Sequence, residues 1–486
     1  MKENSLTLLT DLYELTMMQG YFKSNSNEVV VFDVFYRKNP CGSGYAIACG
    51  LEQVIEYIKN LKFSYEEIDY LRGLGIFEED FLNYLSAFHF SGDIYAMPEG
   101  TVVFPKEPLI KVVAPIMEAQ LVETALLNIV NHQSLIATKA SRVVYAAKGD
   151  SVMEFGLRRA QGPDAGVYGA RAAVIGGCVG TSCVLTGKMW NVPLKGTHAH
   201  SWVMSFKDEY TAFKTYADLY PDACLLLVDT YDTLRSGVPN AIRVFDELKA
   251  AGKKPAFYGI RLDSGDLAYL SKKARKMLDD AGYFDAVISA SSDLDEYLID
   301  SLKTQGAKIT SWGVGTNLIT SSDCPSFGGV YKMAAIMDND TKEFIPKIKL
   351  SENTEKITNP GNKKVFRLYE KETGKIKADL IALEDEKIDE GKDLLIFDPL
   401  ETWKKTNLKA GTYAVRELMV PVFEKGICVY ESPDVEKIKE YCTKELDTLW
   451  DETRRLVNPH KVYVDLSDRL YAMKKKLLDE RGKGIN

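Results

Sequence analysis

The stretch Glu154-Phe-Gly-Leu-Arg-Arg-Ala-Gln-Gly-Pro-Asp164 sets two arginines just behind an apolar run, Ser151-Val-Met-Glu-Phe155, that breaks at Gly156. Arginine forks paired donors onto phosphate or carboxylate. Arg158 is therefore a candidate anion holder; a salt bridge to Asp164 or Glu154 is the plain alternative. The same grammar of apolar run, polar burst and helical segment returns five times. The echoes are Lys195-Gly-Thr-His-Ala-His-Ser201, Leu227-Val-Asp-Thr-Tyr-Asp232, Ile260-Arg-Leu-Asp-Ser-Gly-Asp266, Ala290-Ser-Ser-Asp-Leu-Asp295 and Trp312-Gly-Val-Gly-Thr316. In a βα barrel the C-terminal strand ends share one mouth, so the six bursts would converge on one site.

Each burst has its own chemistry. His200 precedes Ser201, where a helix is predicted to start, and suits a nucleophile or an acid/base with an anion on its ring. One helix terminus contributes only ~0.3–1 kcal/mol, so a polyphosphate needs several termini and arginines together. His198 reads as a core histidine. A metal site would need a third ligand, and His89, His132 and His460 lie in unrelated segments. Asp263 is a candidate for sugar hydroxyls or for magnesium carried with phosphates. Asp266 reads as the cap of the next helix. Gly313, Gly315 and Thr316 give backbone N–H groups room around an anion, although Gly-x-Gly-Thr is common in turns. The loop does not fit a dinucleotide fingerprint. There is no Gly-x-Ser-x-Gly, Walker or kinase motif. Lys195 and Lys332 leave a Schiff-base role open.

Behind these bursts lie the elements that must hold them. Met117 to Ala147 has helical periodicity. Strands are then predicted at 151–155, 181–185, 192–196, 223–229, 256–262, 286–290 and 308–313. Helices are predicted at 163–177, 201–218, 233–251, 266–281 and 293–304. Such alternation implies parallel strands and right-handed crossovers. The expected fold class is α/β: an irregular (β/α) barrel-like domain plus a discontinuous α+β domain built from N-terminal and post-barrel segments. An open doubly wound sheet is the alternative. The expected domains are 1–116 (N-terminal part of the α+β domain), 117–328 (barrel), 329–432 (β-rich completion) and 433–486 (C-terminal helices). The first segment holds a helix over 6–22, where Thr10 or Asp11 can cap and Glu14 follows Asp11 at capping-box spacing. It also holds a strand over 29–36. The third holds strands over 330–336, 344–350 and 365–369.

Composition narrows the class. A chain of 486 residues with 45% hydrophobic and 27% charged residues suits a globular protein. Its net charge of −8 argues against a dedicated nucleic-acid surface. No apolar run approaches the ~20 residues of a membrane span, and the N-terminus lacks a signal-peptide core. The eight scattered cysteines read as reduced thiols of a cytoplasmic protein.

Four motifs together resemble the nicotinate phosphoribosyltransferase family. They are Leu8-Leu-Thr-Asp-Leu-Tyr13 with Met17, Glu154 to Asp164, Gly196-Thr-His-Ala-His-Ser201, and Arg261-Leu-Asp-Ser-Gly-Asp266. Lys349-Leu-Ser, Lys356 and Thr358 to Arg367 agree. The resemblance runs to about residue 430. It implies transfer of phosphoribosyl from phosphoribosyl pyrophosphate to nicotinate, giving nicotinate mononucleotide and pyrophosphate, coupled to ATP hydrolysis. It also implies Mg2+ and a homodimer with shared sites. It makes His200, beside Ser201, the transiently phosphorylated residue. Arg158 would hold phosphate, Phe155 would lie against the pyridine ring, and Tyr13 of the partner subunit would stack on it. Asp263 would serve the ribose, Arg261 the ring's surroundings, and Gly313 to Thr316 the 5′-phosphate. A sister enzyme acting on nicotinamide or quinolinate, an inactive nucleotide-binding barrel and a metal-dependent hydrolase are the rival readings.

Overall fold

A computed structural model describes residues 5–253, 255 and 257–482. Ala256, and the ends of the expected first and last domains, lie outside the described residues. The chain divides into two compact units. One comprises Met1–Leu135, Ser326–Pro433 and Glu440–Asn486; the other comprises Ile136–Pro325 and Asp434–Lys439.

The second unit carries the polar bursts. Its five strands are Ser151–Glu154, Cys224–Leu227, Tyr258–Leu262, Val287–Ala290 and Ser311–Val314. They form one sheet with every pair parallel. Counted across, the Ser151 strand neighbours the Ser311 strand, followed by the Val287, Tyr258 and Cys224 strands. Parallel sheets are covered on both faces, and the sequence shows it: Cys224-Leu-Leu-Leu227 is buried at all four positions. Two of the seven expected strands are reduced to single bridges, Glu154 with Thr181 and Thr181 with Leu194. The bridges extend the sheet in the order a barrel would follow. Among the described residues the ladder stops between Leu194 and Cys224–Leu227. The expected strand over 181–185 gives way because Thr181 turns its hydroxyl onto the Cys183 N–H (2.9 Å) and Val184–Trp190 winds into a helix.

Aspartates set several helix starts. Asp208 accepts from Thr211 N, Asp266 from Tyr269 N and Asp295 from Leu298 N. Asp266 is thus a cap, as its spacing predicts. Asp208 also splits the helix expected over 201–218 into His200–Met204 and Glu209–Leu219. After Asp232 the helix opens with a π turn, Thr233–Gly237. Gly237 is needed there, since a Cβ would sit 1.9 Å from the Val228 carbonyl oxygen.

The first unit joins early and late segments in one antiparallel sheet. Val29–Tyr36 pairs with Ile110–Pro115 on one side and Gly329–Met337 on the other. Lys363–Glu370 belongs instead to a separate four-stranded sheet with Ile376–Leu383, Tyr413–Glu417 and Tyr463–Leu466. The N-terminal helix, Leu12–Lys23, departs from the expected capping box. Asp11 makes no cap hydrogen bond, and its carboxylate accepts from Thr124 Oγ1 (2.8 Å). Glu14 is fully buried and accepts from Thr10, Thr124 N and Thr124 Oγ1. Burial pushes its carboxyl up to about 7. None of the eight cysteines is paired in a disulfide among the described residues. Among the described residues no helix is long and apolar enough to cross a membrane.

Candidate active site

Because all five strands run the same way, the residues after them lie along one edge of the sheet. Four of the bursts meet there through side chains. The His200 ring places Nδ1 3.1 Å from Thr230 Oγ1 and Nε2 3.7 Å from Asp263 Oδ2. Asp263 Oδ1 accepts from Ser291 Oγ and from Arg261 Nη2 at 3.3 Å. Arg261 also donates Nε to Ser291 Oγ (2.9 Å) and Nη1 to Thr197 Oγ1 (2.6 Å). The backbone is fixed too. Asp229 Oδ2 accepts from Asp263 N (2.8 Å) and from Ser264 Oγ (2.7 Å), which pulls the ends of two neighbouring strands together. Asp229 Oδ1 is buried and has no hydrogen-bond partner among the described residues. Four segments therefore share one hydrogen-bonded network of two carboxylates, a guanidinium and an imidazole.

The glycines build a second part of the same edge. Phe155 donates its N–H to the Val314 carbonyl (2.8 Å), and its ring packs against Gly313. A Cβ on Gly313 would come 2.5 Å from Phe155 Cδ2, so the glycine leaves the room that this side of the ring occupies. At Gly315 a Cβ would be 3.3 Å from the Phe155 carbonyl oxygen, and the short helix Thr316–Ile319 follows. Gly313→Ala is expected to cost ~1–3 kcal/mol through displacement of Phe155. Urea unfolding reads it; an unchanged midpoint would show that the ring moves aside freely.

Arg158 sits in the 3-10 turn Leu157–Arg159 and is exposed. Neither the Arg158 nor the Arg159 side chain forms a hydrogen bond or ion pair among the described residues. Glu154 is fully buried and bonds instead to Gly156 N and to Thr181 Oγ1 (2.5 Å). The structural salt bridge to Asp164 or Glu154 is thus not what holds these arginines, and they remain available to an anion. Among the described residues Arg158 makes no hydrogen bond or ion pair with the His200 network. Ser201 is exposed in the first turn of His200–Met204. That helix is five residues long, so its field is weaker than the spacing suggested. Tyr13 lies in the other unit, 46% exposed on Leu12–Lys23 beside exposed Leu12 and Met17.

Sequence reasoning did not single out Thr197, Thr230, Asp229 or Ser291 as individual residues. The available signal was position: each lies in a polar burst at or just past a strand's C-terminal end. His198, for which spacing offers no role, is 7% exposed. Its Nε2 accepts from Leu227 N at 3.3 Å. Burial pushes its pKa down to about 4, with the Arg261 and His200 charges adding to the effect.

An edge of this kind, with reactive groups drawn from several parallel strands, defines an α/β enzyme that works on its substrate at the strand ends. Comparison with known proteins gives the family. Residues 8–131 match the nicotinate phosphoribosyltransferase N-terminal domain, 151–365 the nicotinate phosphoribosyltransferase family, and 362–474 its C-terminal domain. The chain belongs to the nicotinate phosphoribosyltransferase family. It is 48% identical over 480 residues to the nicotinate phosphoribosyltransferase of Bacillus subtilis, covering 99% of this chain and 96% of that one. It is 31% identical to the human nicotinate phosphoribosyltransferase, over 96% of this chain and 95% of that one. The crystal structure of human nicotinic acid phosphoribosyltransferase matches with a TM-score of 0.83, covering 97% of this chain and 100% of that one at 28% identity.

Proposed function

We propose that this enzyme transfers phosphoribosyl from phosphoribosyl pyrophosphate to nicotinate in NAD biosynthesis, with ATP hydrolysis coupled through His200. The observation that carries the reading is the His200 ring, held by Thr230 on one side and facing Asp263 on the other. In the transfer, the sugar C1–oxygen bond to pyrophosphate breaks and the pyridine nitrogen forms the new bond to C1. Charge develops on the leaving pyrophosphate, and donors aimed in advance stabilise it. The unpaired Arg158 suits a phosphate of the donor. The N–H groups from Gly313 to Thr316 suit its 5′-phosphate. Phe155 offers a flat face to the pyridine ring, and Tyr13 of the partner subunit closes over that ring. The exposed apolar surface of Leu12–Lys23 supports such a homodimer with shared sites.

For ATP, an Nδ1–H donated to Thr230 Oγ1 leaves the Nε2 lone pair as nucleophile. Nε2 takes the γ-phosphoryl group, ADP leaves, and water later releases phosphate and restores the ring. The phosphorylated ring adds charge and acceptor oxygens beside Arg261, which changes affinity for the anionic donor. Magnesium fits here as well. It needs one or two carboxylates together with phosphate oxygens, and Asp229, with its unpartnered Oδ1, lies beside Asp263. Those two residues would hold it, and it would neutralise charge on the phosphates.

The test is one incubation with nicotinate and phosphoribosyl pyrophosphate, with and without ATP, followed for mononucleotide and for acid-labile phosphate on the protein. ATP is expected to stimulate turnover and to label the wild type. His200→Ala is expected to lose both. A His200→Ala enzyme with full ATP-coupled turnover would sink the phosphohistidine. Parallel assays with nicotinamide and quinolinate separate the sister activities.

A further inference from the structure

The parallel sheet has one seam. Going round from Leu194 through Thr181 and the five strands, the ladder ends at Cys224–Leu227 without a backbone partner for its outer edge among the described residues. Cys224 and Val228 donate their N–H groups to Phe257 O and Arg261 O on the neighbouring strand. Strand periodicity therefore turns the Leu227 N–H outward, across the seam. The acceptor it finds is His198 Nε2, at 3.3 Å.

We propose that His198 is a positioning residue for His200, its imidazole spanning the seam so that the turn carrying His200 stays fixed to the Cys224–Leu227 strand. An accepting Nε2 has its lone pair towards Leu227, so the neutral ring carries its proton on Nδ1. An imidazolium would instead set two donors face to face. The ring is wedged against Tyr216 (centroids 4.8 Å) and Phe213 (6.0 Å), which leaves it little freedom to turn away.

A second latch reaches the same turn from the next strand. Arg261 Nη1 donates to Thr197 Oγ1 and, at 3.4 Å, to the His198 carbonyl. The two strands that hold this turn are also the two that supply the partners of His200. Thr230 follows the Cys224–Leu227 strand and Asp263 follows the Tyr258–Leu262 strand. Holding residue 198 to Leu227 therefore fixes the 3.1 Å and 3.7 Å separations around the His200 ring. Misplacement of a reacting group by ~1 Å can lower a rate ~10²-fold.

This inference rests on the reading that His200 reacts, and the experiment separates the two. Four proteins are compared: wild type, His198→Leu, His198→Gln and His200→Ala. For each, kcat, KM for nicotinate and for phosphoribosyl pyrophosphate, and the thermal midpoint are measured in the presence of ATP. Leucine keeps the apolar packing but offers no acceptor; the glutamine carbonyl reaches about as far as Nε2. The His198→Leu substitution should lower kcat ~10–100-fold with both KM values within about twofold, and the glutamine variant should restore kcat to within about threefold. Wild-type kcat in His198→Leu, beside a His200→Ala that has lost ATP-coupled turnover, overturns the positioning role alone. So does a glutamine variant as impaired as the leucine one at the same thermal midpoint. Retained ATP-coupled turnover in His200→Ala overturns the reading of His200, and this inference with it. Should His198→Leu fail to fold, 15N-histidine NMR of the wild-type protein decides: a buried ring with its proton on Nδ1 is expected, and one with its proton on Nε2 overturns the proposal.

Discussion

Asp263→Ala is expected to lower kcat by ~10²–10³, an effect of the size seen when one pre-aimed polar group is taken from a catalytic site. The carboxylate holds three neighbours at once. Ser291 Oγ and Arg261 Nη2 share its Oδ1, and His200 Nε2 faces its Oδ2. Without it Arg261 keeps Thr197 and Ser291 but loses its charged partner, and the imidazole loses the only carboxylate within ion-pair distance among the described residues. The backbone bond from Asp263 N to Asp229 is untouched by the substitution, so the strand end should keep its path. Asp263→Asn separates charge from shape. The amide oxygen can still accept from Ser291 and Arg261. If charge beside His200 and the phosphates is what matters, the asparagine variant should be nearly as slow as alanine while its thermal midpoint stays close to wild type. Steady-state kinetics on both variants, with ATP present, reads the outcome. Either variant within about threefold of wild-type kcat/KM, a loss under ~1 kcal/mol, would remove Asp263 from the chemistry.

What the sequence showed of this site, and what it hid, follows from range. The polar bursts are local: an apolar run ends, and the next residues are polar. That rule placed His200, Arg261, Asp263 and Gly313 on one edge before any coordinates. The cross-links between bursts are not local. Ser291 bridges Arg261 and Asp263 from a distant part of the chain, and nothing in Ala290-Ser-Ser announces which serine turns inward. Thr197 and Thr230 are hidden in the same way. Among the elements, Cys224–Leu227 and Tyr258–Leu262 fall inside the predicted strands because buried parallel strands are unbroken apolar runs. The strand expected over 181–185 runs into the helix Val184–Trp190 for the same reason: a short apolar run has no decisive period, and Thr181 diverts the backbone through a side-chain bond that no periodicity carries. The sheet partnership of Val29–Tyr36 with Gly329–Met337 joins opposite ends of the βα region. It was legible only as strand content on both sides of an interrupting βα rhythm. The strand Lys363–Glu370 carried the same content but pairs in another sheet, a distinction that composition does not encode.

In the first unit, Arg367→Ala is expected to destabilise the fold by ~3–5 kcal/mol, the usual result of removing one member of a buried ion cluster. Arg367 and Asp379 are fully buried, and Glu445 nearly so. The guanidinium forks onto Asp379, Nε to Oδ1 at 2.9 Å and Nη2 to Oδ2 at 2.6 Å, across the directly paired strands Lys363–Glu370 and Ile376–Leu383. Its Nη1 donates to Glu445 Oε2 at 3.0 Å, which ties the helix Val435–Asp447 to the same sheet. Glu107, also fully buried, is held well above the usual carboxyl range by desolvation and by the Asp379 charge, with Arg367 opposing the shift. Removing the cation leaves buried acids with one guanidinium, that of Arg416, on Glu445 alone. Lysine cannot replace the fork, so Arg367→Lys should recover only part of the loss. The pH dependence has a definite sign. A carboxyl whose folded pKa lies above its unfolded value favours the folded state at low pH and loses that contribution as pH rises through the folded pKa. Taking Arg367 away removes the group that opposes the rise at Glu107. The deficit of Arg367→Ala against wild type should therefore be larger at pH 7.5 than at pH 5.5. Urea unfolding of both proteins at the two pH values measures it. A deficit under ~1 kcal/mol would place the net worth of this cluster with that of exposed ion pairs, and one that is flat or grows on acidification would mean that the remaining acids take up no extra proton when their cation is removed.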